Sequence, residues 1–220
     1  MEKNKNLQEA LNDLRDKNSK AVGKEISTLI KADIQRVADL HILENLPKIG
    51  EPLLNFNLPD QNGVFRTLDD LLQEGPLVLT FYRGGWCPYC NLMLRTYQQM
   101  IPDLEQNGAH FLAITPELPD ASLSTKERLA LNFDVLTDQN SEYARQLGIQ
   151  FTLPKELHEV YLKLGIDITA YSGANTYDLP LAATLVVDTD KTVTYAFADA
   201  DYTQRAEPRD ILRVVESMRK

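Results

Sequence analysis

Cys87 and Cys90 are the residues whose type and spacing point most directly to chemistry. They are the only cysteines among the 220 residues of the chain, and two residues separate them. Two thiols at this spacing can close a small disulfide on themselves and reopen it. The first hypothesis is therefore reversible redox chemistry. Such a cycle needs no bound cofactor, because the sulfur atoms carry the electrons.

A zinc site is the main alternative for any cysteine pair. Structural zinc requires four ligands, usually Cys and His at close spacing. The three histidines, His41, His110 and His158, are scattered along the chain, and a second Cys-x-x-Cys is missing. The sequence therefore favours a redox dithiol over a metal site.

The sequence around the cysteines places them where a strand passes into a helix. Residues 77–82 are mostly apolar or β-branched, which indicates a buried strand. Residues 91–100 carry apolar side chains at helical spacing, so we predict a helix from Cys90 to about Gln106. Free N–H groups and the helix dipole stabilise a thiolate at the start of a helix. This context is typical of thioredoxin-like redox motifs.

Composition and charge restrict the class of protein. Hydrophobic residues make up 43% of the chain and charged residues 25%, as in ordinary globular domains. The formal net charge of −9 argues against nucleic acid and against an anionic membrane surface as partners. No segment is apolar enough to span a membrane, and residues 1–10 show no secretory signal. We therefore expect a cytoplasmic protein, whose cysteine pair is reversibly oxidised and reduced and does not form a permanent structural disulfide.

Residues 1–46 predict a helical N-terminal extension. They contain no proline, and Gly23 alone interrupts them. Apolar residues at helical spacing form two stripes, which predicts two or three amphipathic helices. The stripes are Leu7, Ala10, Leu11 and Leu14, followed by Ile26, Leu29, Ile30, Ile34, Val37 and Leu40. Packing against the rest of the chain is the favoured interpretation, and a homodimer interface is the alternative.

Residues 47–220 predict a single α/β domain, with Pro47, Gly50 and Pro52 at its boundary. We predict hairpins over residues 56–67 and 183–198, strands over 77–82, 109–114 and 133–136, and helices over 68–72, 90–106, 121–131, 141–147, 154–164 and 208–220. The polar segment 167–179 is predicted to be a loop that either covers a site or only connects elements. This order indicates a central mixed sheet flanked by helices.

Several segments of this domain carry a family pattern. They are Gly50-Glu51-Pro52 with Phe56 and Leu58, the run from Leu79 to Cys90, and the run from Ala183 to Asp188. Together they resemble the peroxiredoxin (AhpC/TSA) branch of the thioredoxin superfamily, in particular members with a Gly-Gly-Trp-Cys-Pro-Tyr-Cys signature. The run from Ala196 to Arg205 resembles the tail of that subgroup. The resemblance covers about residues 48–218 and implies a thioredoxin-like fold.

The resemblance also implies roles for individual residues. Ordinary peroxiredoxins place the peroxide-reducing cysteine last in a Pro-x-x-x-Thr/Ser-x-x-Cys pattern. On this chain that cysteine is Cys90, the hydroxyl position is Cys87, and the proline position is Arg83. The arginine that ordinary peroxiredoxins carry just before the late strand has no counterpart, because Ala182 and Ala183 stand there.

Two assignments of the cysteines remain open at this point. In the first, Cys90 attacks peroxide and Cys87 condenses with the resulting sulfenic acid. In the second, which follows the thioredoxin template, Cys87 attacks a partner disulfide and Cys90 resolves the product. Arg83 is the cation expected near the thiols, where it would lower a thiol pKa, and a solvated loop arginine is the alternative. Three further residues are expected to shape the site: Trp86, Pro88 and Tyr89.

These observations predict a thiol-dependent peroxidase that reduces hydrogen peroxide or a small organic hydroperoxide through a Cys87–Cys90 disulfide. The resemblance implies an external reductant: thioredoxin, glutaredoxin or glutathione. A protein thiol–disulfide oxidoreductase is the first alternative. The second is a non-enzymatic binding module in which the fold serves only as a scaffold.

Overall fold

The computed structural model describes residues 6–218. The helices are α1 (Leu7–Asp39), α2 (Leu68–Leu72), α3 (Pro88–Gln98), α4 (Ile101–Gln106), α5 (Pro119–Leu129), α6 (Glu142–Gln146), α7 (Lys155–Lys163), α8 (Ile168–Ser172) and α9 (Pro208–Ser217), with short 3-10 helices at Ile42–Asn45 and Gln139–Ser141. The strands are β1 (Asn57–Pro59), β2 (Phe65–Thr67), β3 (Leu77–Phe81), β4 (His110–Thr115), β5 (Asp134–Thr137), β6 (Gln150–Thr152), β7 (Asp178–Pro180), β8 (Thr184–Val187) and β9 (Val193–Phe197).

A five-stranded mixed sheet forms the centre of the fold, in the order β5-β4-β3-β8-β9. Strand β3 lies in its middle, where Leu79 pairs with Leu112 of β4 in parallel and with Leu185 of β8 in antiparallel. Every residue of β3 is buried, which explains its continuous apolar run. The cysteine motif follows the carboxyl end of this strand, the end of a parallel sheet where sites form in α/β folds.

The predicted helix over residues 90–106 is wrong in one respect, because two helices occupy this range. Helix α3 ends at Gln98 and α4 begins at Ile101. Pro102 has no N–H to donate to the carbonyl of Gln98, and its ring would clash there, so a continuous helix is broken at this point. Both predicted hairpins are confirmed as the pairs β1–β2 and β8–β9.

The prediction of a loop over residues 167–179 is also wrong, because α8 and the start of β7 lie in this segment. Asp167 caps α8 by accepting a hydrogen bond from the N–H of Ala170 at 3.1 Å. Ile168 and Leu179 are both buried, so two apolar anchors fix a segment that is otherwise polar. Strand β7 pairs antiparallel with β6, a strand that the sequence analysis missed.

Helix α1 lies along the domain and bends once. Gly23 adopts φ 82° and ψ 167°, a left-handed backbone that glycine accepts without steric cost. Before the bend, Leu7 and Leu11 are buried in the same cluster as α3, and after it Val37 is buried in the cluster that includes α7. The stripes of α1 therefore pack against the rest of the chain, except at Leu40, which is 47% exposed. The first five residues of the predicted extension, and residues 219–220 of the predicted last helix, lie outside the described residues.

Within residues 6–218, no helix is both long enough and apolar enough to cross a membrane.

Candidate active site

The two cysteines occupy the first turn of α3, directly after the loop that follows β3. Cys87 is the N-cap residue and Pro88 is the first helical residue, a position where the missing N–H of proline costs nothing. Cys90 follows in the same turn. Both cysteines are free and buried: Cys87 is 1% exposed and Cys90 is 0% exposed.

Two glycines let the preceding loop pass close to its neighbours. Gly84 has φ +152°, and a Cβ there would lie 2.2 Å from the indole nitrogen of Trp86. A Cβ on Gly85 would lie 1.9 Å from Thr125 Oγ1. The peptide groups of Gly85 are also held on both sides, because its N–H donates to Glu117 at 2.8 Å and its carbonyl accepts from Asn91 at 2.9 Å. The Gly-Gly pair is thus a steric requirement of this loop.

Arg83 is buried beside the dithiol, at 2% exposure. Its Nη2 donates to the hydroxyl of Tyr161 at 2.5 Å. Its guanidinium carbon lies 4.1 Å from the ring centroid of Tyr202 and 5.0 Å from that of Trp86, so aromatic faces surround the cation. Its Nε is buried and has no hydrogen-bond partner among the described residues. The sequence predicted this cation near the thiols, and the structure places it there.

Arg205 is a second buried cation at the site, and the sequence analysis missed it. Its Nη2 donates to Cys90 Sγ at 3.7 Å, and its Nε donates to Met93 Sδ at 3.1 Å. The carbonyl of Tyr202 accepts from its Nη1. Arg205 lies 115 residues after Cys90, in the segment between β9 and α9. The position just before β8, where the resemblance would place an arginine, is occupied by the buried and uncharged Ala182.

The charges around the two thiols separate their pKa values. Burial disfavours the thiolate of Cys90, but the hydrogen bond from Cys87 and the positive charges of Arg205 and Arg83 outweigh burial and lower the pKa of Cys90 to about 5. Burial and the neighbouring Cys90 raise the pKa of Cys87. The surroundings therefore favour Cys90 as the thiolate of the pair and Cys87 as the thiol.

The three predicted site-shaping residues surround the motif in different ways. Trp86 is half-buried, with its ring edge-on to Tyr161 at a centroid distance of 5.5 Å. Tyr89 is buried and meets Tyr202 edge-on, also at 5.5 Å. Pro88 is exposed. Two tyrosines from distant segments thus complete the aromatic surroundings, and sequence spacing gave no sign of them.

A cavity of about 300 Å³ adjoins the dithiol on the side of α1. Cys87, Arg83, Trp86 and Tyr89 contribute to its lining, whereas Cys90 does not. Cys87 therefore faces the cavity, and Cys90, the thiol with the lowered pKa, lies behind it.

A buried acidic group also contacts this loop. Glu117 is 1% exposed, and burial raises its pKa to about 7, although the N–H of Gly85 donates to it. Its Oε1 and the hydroxyl of buried Tyr82 lack hydrogen-bond partners among the described residues. Glu117 could not be predicted as a site residue, because a lone carboxylate after a strand carries no pattern.

No group of three or more His, Cys, Asp or Glu side chains within residues 6–218 is arranged to hold a metal ion. The chemistry that this arrangement supports is that of a buried thiolate with a second thiol in contact with it.

Comparison with known proteins identifies similar sequences. The pattern that defines the AhpC/TSA family matches residues 49–196. A putative peroxiredoxin of Mycobacterium tuberculosis (strain H37Rv) is 27% identical over 103 residues, which cover 47% of this chain and 67% of that protein. The peroxiredoxin Bcp of Escherichia coli K12 is 28% identical over 102 residues, which cover 46% and 65%. The thiol-disulfide oxidoreductase ResA of Halalkalibacterium halodurans is 24% identical over 107 residues, which cover 48% and 60%.

Solved structures agree with the sequence comparison on the fold. The peroxidoxin BcpB of Mycobacterium tuberculosis superposes with a TM-score of 0.62 at 23% identity, over 79% of this chain and 99% of that one. A cysteine-to-serine mutant of PrxQ from Xylella fastidiosa gives 0.62 at 14% identity, over 79% and 98%. The predicted thioredoxin-like α/β fold of the peroxiredoxin type is confirmed.

Proposed function

The chain belongs to the AhpC/TSA family, and on that premise we propose that it is a thiol-dependent peroxidase in which Cys90 attacks peroxide and Cys87 resolves the product. The proposed substrates are hydrogen peroxide and organic hydroperoxides, and the electrons come from an external thiol. The cytoplasmic location predicted from the sequence is part of this proposal.

One observation supports this assignment above the others: the thiolate of Cys90 lies against two buried arginines. Arg205 donates to Cys90 Sγ at 3.7 Å, and Arg83 lowers the pKa of the same thiol by its charge. Neither arginine forms an ion pair with a carboxylate among residues 6–218. Cys90 is thus placed where positive charge favours its thiolate, and thiolates are the nucleophiles of cysteine chemistry.

The first step transfers one oxygen atom to sulfur. The thiolate of Cys90 attacks the outer oxygen of the hydroperoxide, the O–O bond breaks, and the alcohol or water leaves after it takes up a proton. Cys90 becomes a sulfenic acid. The buried Nε of Arg83 has no hydrogen-bond partner among the described residues, and in this proposal it donates a hydrogen bond to a peroxide oxygen at the thiolate. Such a donor stabilises charge that develops on that oxygen in the transition state.

The second step closes the disulfide. Burial and the adjacent charge of Cys90 raise the pKa of Cys87 in the reduced protein. A sulfenic acid is neutral, so its formation removes that adjacent charge while Arg83 and Arg205 remain in place. Cys87 then ionises more easily and attacks the sulfur of Cys90, and hydroxide leaves as water once it has taken up a proton. The cycle thus uses both cysteines of the chain in a fixed order.

A protein thiol–disulfide oxidoreductase is the second candidate. The Cys-x-x-Cys spacing and the similarity to ResA favour it. The thioredoxin template requires the first cysteine of the motif to be the nucleophile with the lowered pKa. Here that residue is Cys87, whose pKa is raised by burial and by the neighbouring Cys90. These features argue for the peroxidase.

Stopped-flow mixing of the reduced protein with hydrogen peroxide tests the proposal. We expect fast oxidation of the wild type and of Cys87→Ser, which should stop at a sulfenic acid that dimedone traps. The matched variant Cys90→Ser should lose the fast phase. Rapid reduction of insulin disulfides by the wild type, together with negligible oxidation by peroxide, would contradict the peroxidase and establish the second candidate.

A further inference from the structure

Helix α1 lies over the cavity beside the dithiol, and Glu207 holds its first turn. Glu207 accepts hydrogen bonds from the N–H groups of Leu7 and Gln8, the latter at 2.8 Å. Farther along, Asn18, Ser19 and Val22 take part in the lining of the cavity beside the cysteines. Under this cover, Cys87 is 1% exposed, and Cys90 is fully buried. Any reductant of the proposed disulfide must therefore pass α1.

The cavity beneath α1 is mainly apolar. Its volume of about 300 Å³ is at the small end of the range for small-molecule sites. Both halves of α1 contribute apolar side chains, and the segment around the end of α7 contributes the opposite wall. These residues are Val22, Ile30, Ile34, Leu164 and Ile166. The lining therefore favours a ligand with an aliphatic body.

The cavity also selects which sulfur of the disulfide is attacked. Cys87 lines it and Cys90 does not, so a thiol that enters the cavity meets Cys87 Sγ. The sulfur that leaves is then Cys90. Thiol–disulfide exchange is faster when the leaving thiol has a low pKa, and the neighbouring Arg205 and Arg83 stabilise Cys90 as a thiolate.

A small dithiol suits this space better than a monothiol or a protein. A protein reductant must bring its own cysteine into line with Cys87, where α1 now lies. A monothiol leaves its body in the cavity as a mixed disulfide, and a second molecule must then reach the same enclosed sulfur. A dithiol completes the reaction with its own second thiol, in a step made fast by its high effective concentration.

We propose that the cavity between α1 and Cys87 is the binding site of the reductant, and that this reductant is a small aliphatic dithiol. The proposal rests on the proposed Cys87–Cys90 disulfide. The first thiol of the ligand, as its thiolate, bonds to Cys87 Sγ, and the S–S bond to Cys90 breaks. The second thiol then attacks the first sulfur of the ligand. The ligand leaves as a cyclic disulfide, and the protein regains two electrons and its two thiols.

The test measures the reductive half-reaction alone. The disulfide is first formed with diamide, so the measurement does not depend on peroxidase activity. Reduction is then followed by acid quenching, alkylation and mass spectrometry. We expect dihydrolipoamide, an aliphatic dithiol, to react at least about tenfold faster than dithiothreitol, a polar dithiol, at equal thiolate concentration. Glutathione and reduced thioredoxin should be slower than dihydrolipoamide.

Variants of α1 locate the effect in the cavity. Val22→Trp fills the cavity from the first half of α1, and Ile34→Trp fills it from the second half. Each should slow reduction by dihydrolipoamide at least about fivefold, because the space for the chain is lost. The matched controls Ala21→Trp and Gln35→Trp place the same side chain at exposed neighbouring positions and should leave the rate unchanged. Circular dichroism establishes that all four variants are folded.

Three outcomes would overturn the inference. Reduced thioredoxin could be the fastest reductant, or both cavity variants could leave the rate with dihydrolipoamide unchanged. The cavity variants could also slow the oxidation of reduced protein by cumene hydroperoxide and not its reduction, which would make the cavity a peroxide site. Failure of the proposed function is seen separately, as absence of fast oxidation of the wild type by peroxide.

Discussion

Arg205 connects the nucleophile Cys90 to the segment between β9 and α9. Its guanidinium contacts the sulfur atoms of Cys90 and Met93, and the carbonyl of Gln204 accepts from its Nη1 at 2.7 Å. Several donors of one planar group are thus occupied at fixed angles. A lysine ammonium is a compact point charge and cannot reproduce that geometry. The charge and the orientation of Arg205 are therefore both part of the site.

Replacement of Arg205 by lysine tests this role. We expect Arg205→Lys to raise the pKa of Cys90 and to slow the reaction with peroxide at neutral pH by about tenfold or more, the scale of a lost charge-assisted hydrogen bond. The rate of Cys90 alkylation by iodoacetamide as a function of pH gives the pKa, and stopped-flow mixing gives the peroxide rate. Arg213→Lys, an exchange at a side chain that is 74% exposed, is the control and should change neither. An unchanged alkylation profile in Arg205→Lys would rule out this role.

Glu117 is the other titrating group of the site, and it has a pKa of about 7 in the folded protein. Its ordinary pKa is 4.5, so the pKa is raised on folding. The stabilising contribution of such a group to the free energy of unfolding is fully present below pH 4.5 and is lost as pH rises through about 7. In physical terms, the carboxyl must ionise inside the protein above that pH, where burial disfavours the charge.

Glu117→Gln keeps an oxygen that can accept from the N–H of Gly85 and removes the ionisation. We expect the free energy of unfolding of this variant, relative to wild type, to increase between pH 5 and pH 8. Urea unfolding at several pH values measures it. The control Glu127→Gln changes an exposed carboxylate on α5 and should show a flat difference. A flat difference for Glu117→Gln as well would mean that Glu117 does not titrate in this range.

Among the secondary-structure elements, α1 and the segment before α9 act as one unit. Gln8 accepts a hydrogen bond from the N–H of Arg205 at 3.2 Å and donates to the carbonyl of Thr203 at 3.3 Å. Arg15 of α1 also lies 3.9 Å from Asp201. The helix outside the matched family region therefore supports the arginine that stabilises the thiolate.

Gln8→Ala tests that coupling. We expect it to destabilise the protein by about 1 kcal/mol, the usual value of a lost hydrogen bond, and to raise the pKa of Cys90 because Arg205 becomes less well held. Urea unfolding and the pH dependence of alkylation are the measurements. Lys17→Ala, at an exposed position of the same helix, is the control. A loss of stability without any shift of the Cys90 pKa would show that α1 stabilises the fold but does not position Arg205.

Local patterns predicted most elements, and long-range contacts were the part that could not be predicted. The apolar run of β3 and the interruption at Gly23 depend on neighbouring residues, and both were visible in the sequence. The contact between Arg205 and Cys90 could not be predicted from local patterns, because 115 residues separate them in the sequence. The helix break at Pro102 could have been predicted from local chemistry.

At the scale of the whole molecule, the buried site contains two positive charges although the net charge of the chain is negative. The chain has a formal net charge of −9, yet two arginines are buried side by side with a thiolate. Oxidation to the disulfide removes the negative charge and leaves both cations in the interior. Buried charges without a partner are costly. The redox state of the dithiol should therefore change the stability of the entire fold.

We expect the reduced protein to be more stable than the disulfide form by about 2 kcal/mol. Removal of one partner from a buried charge pair costs about 3–5 kcal/mol, and closure of so short a disulfide loop restores about 2 kcal/mol by restricting the unfolded chain. The pKa of Cys90 is lowered from 9.0 to about 5, so this stabilisation is complete above pH 9 and is lost as pH falls through about 5. Urea unfolding of the reduced and the diamide-oxidised protein at pH 5 and pH 8 measures the difference, which should be larger at pH 8. Cys90→Ala, treated in the same way, should show none. A disulfide form as stable as the reduced form at pH 8 would mean that the two arginines do not depend on the thiolate for their counter-charge.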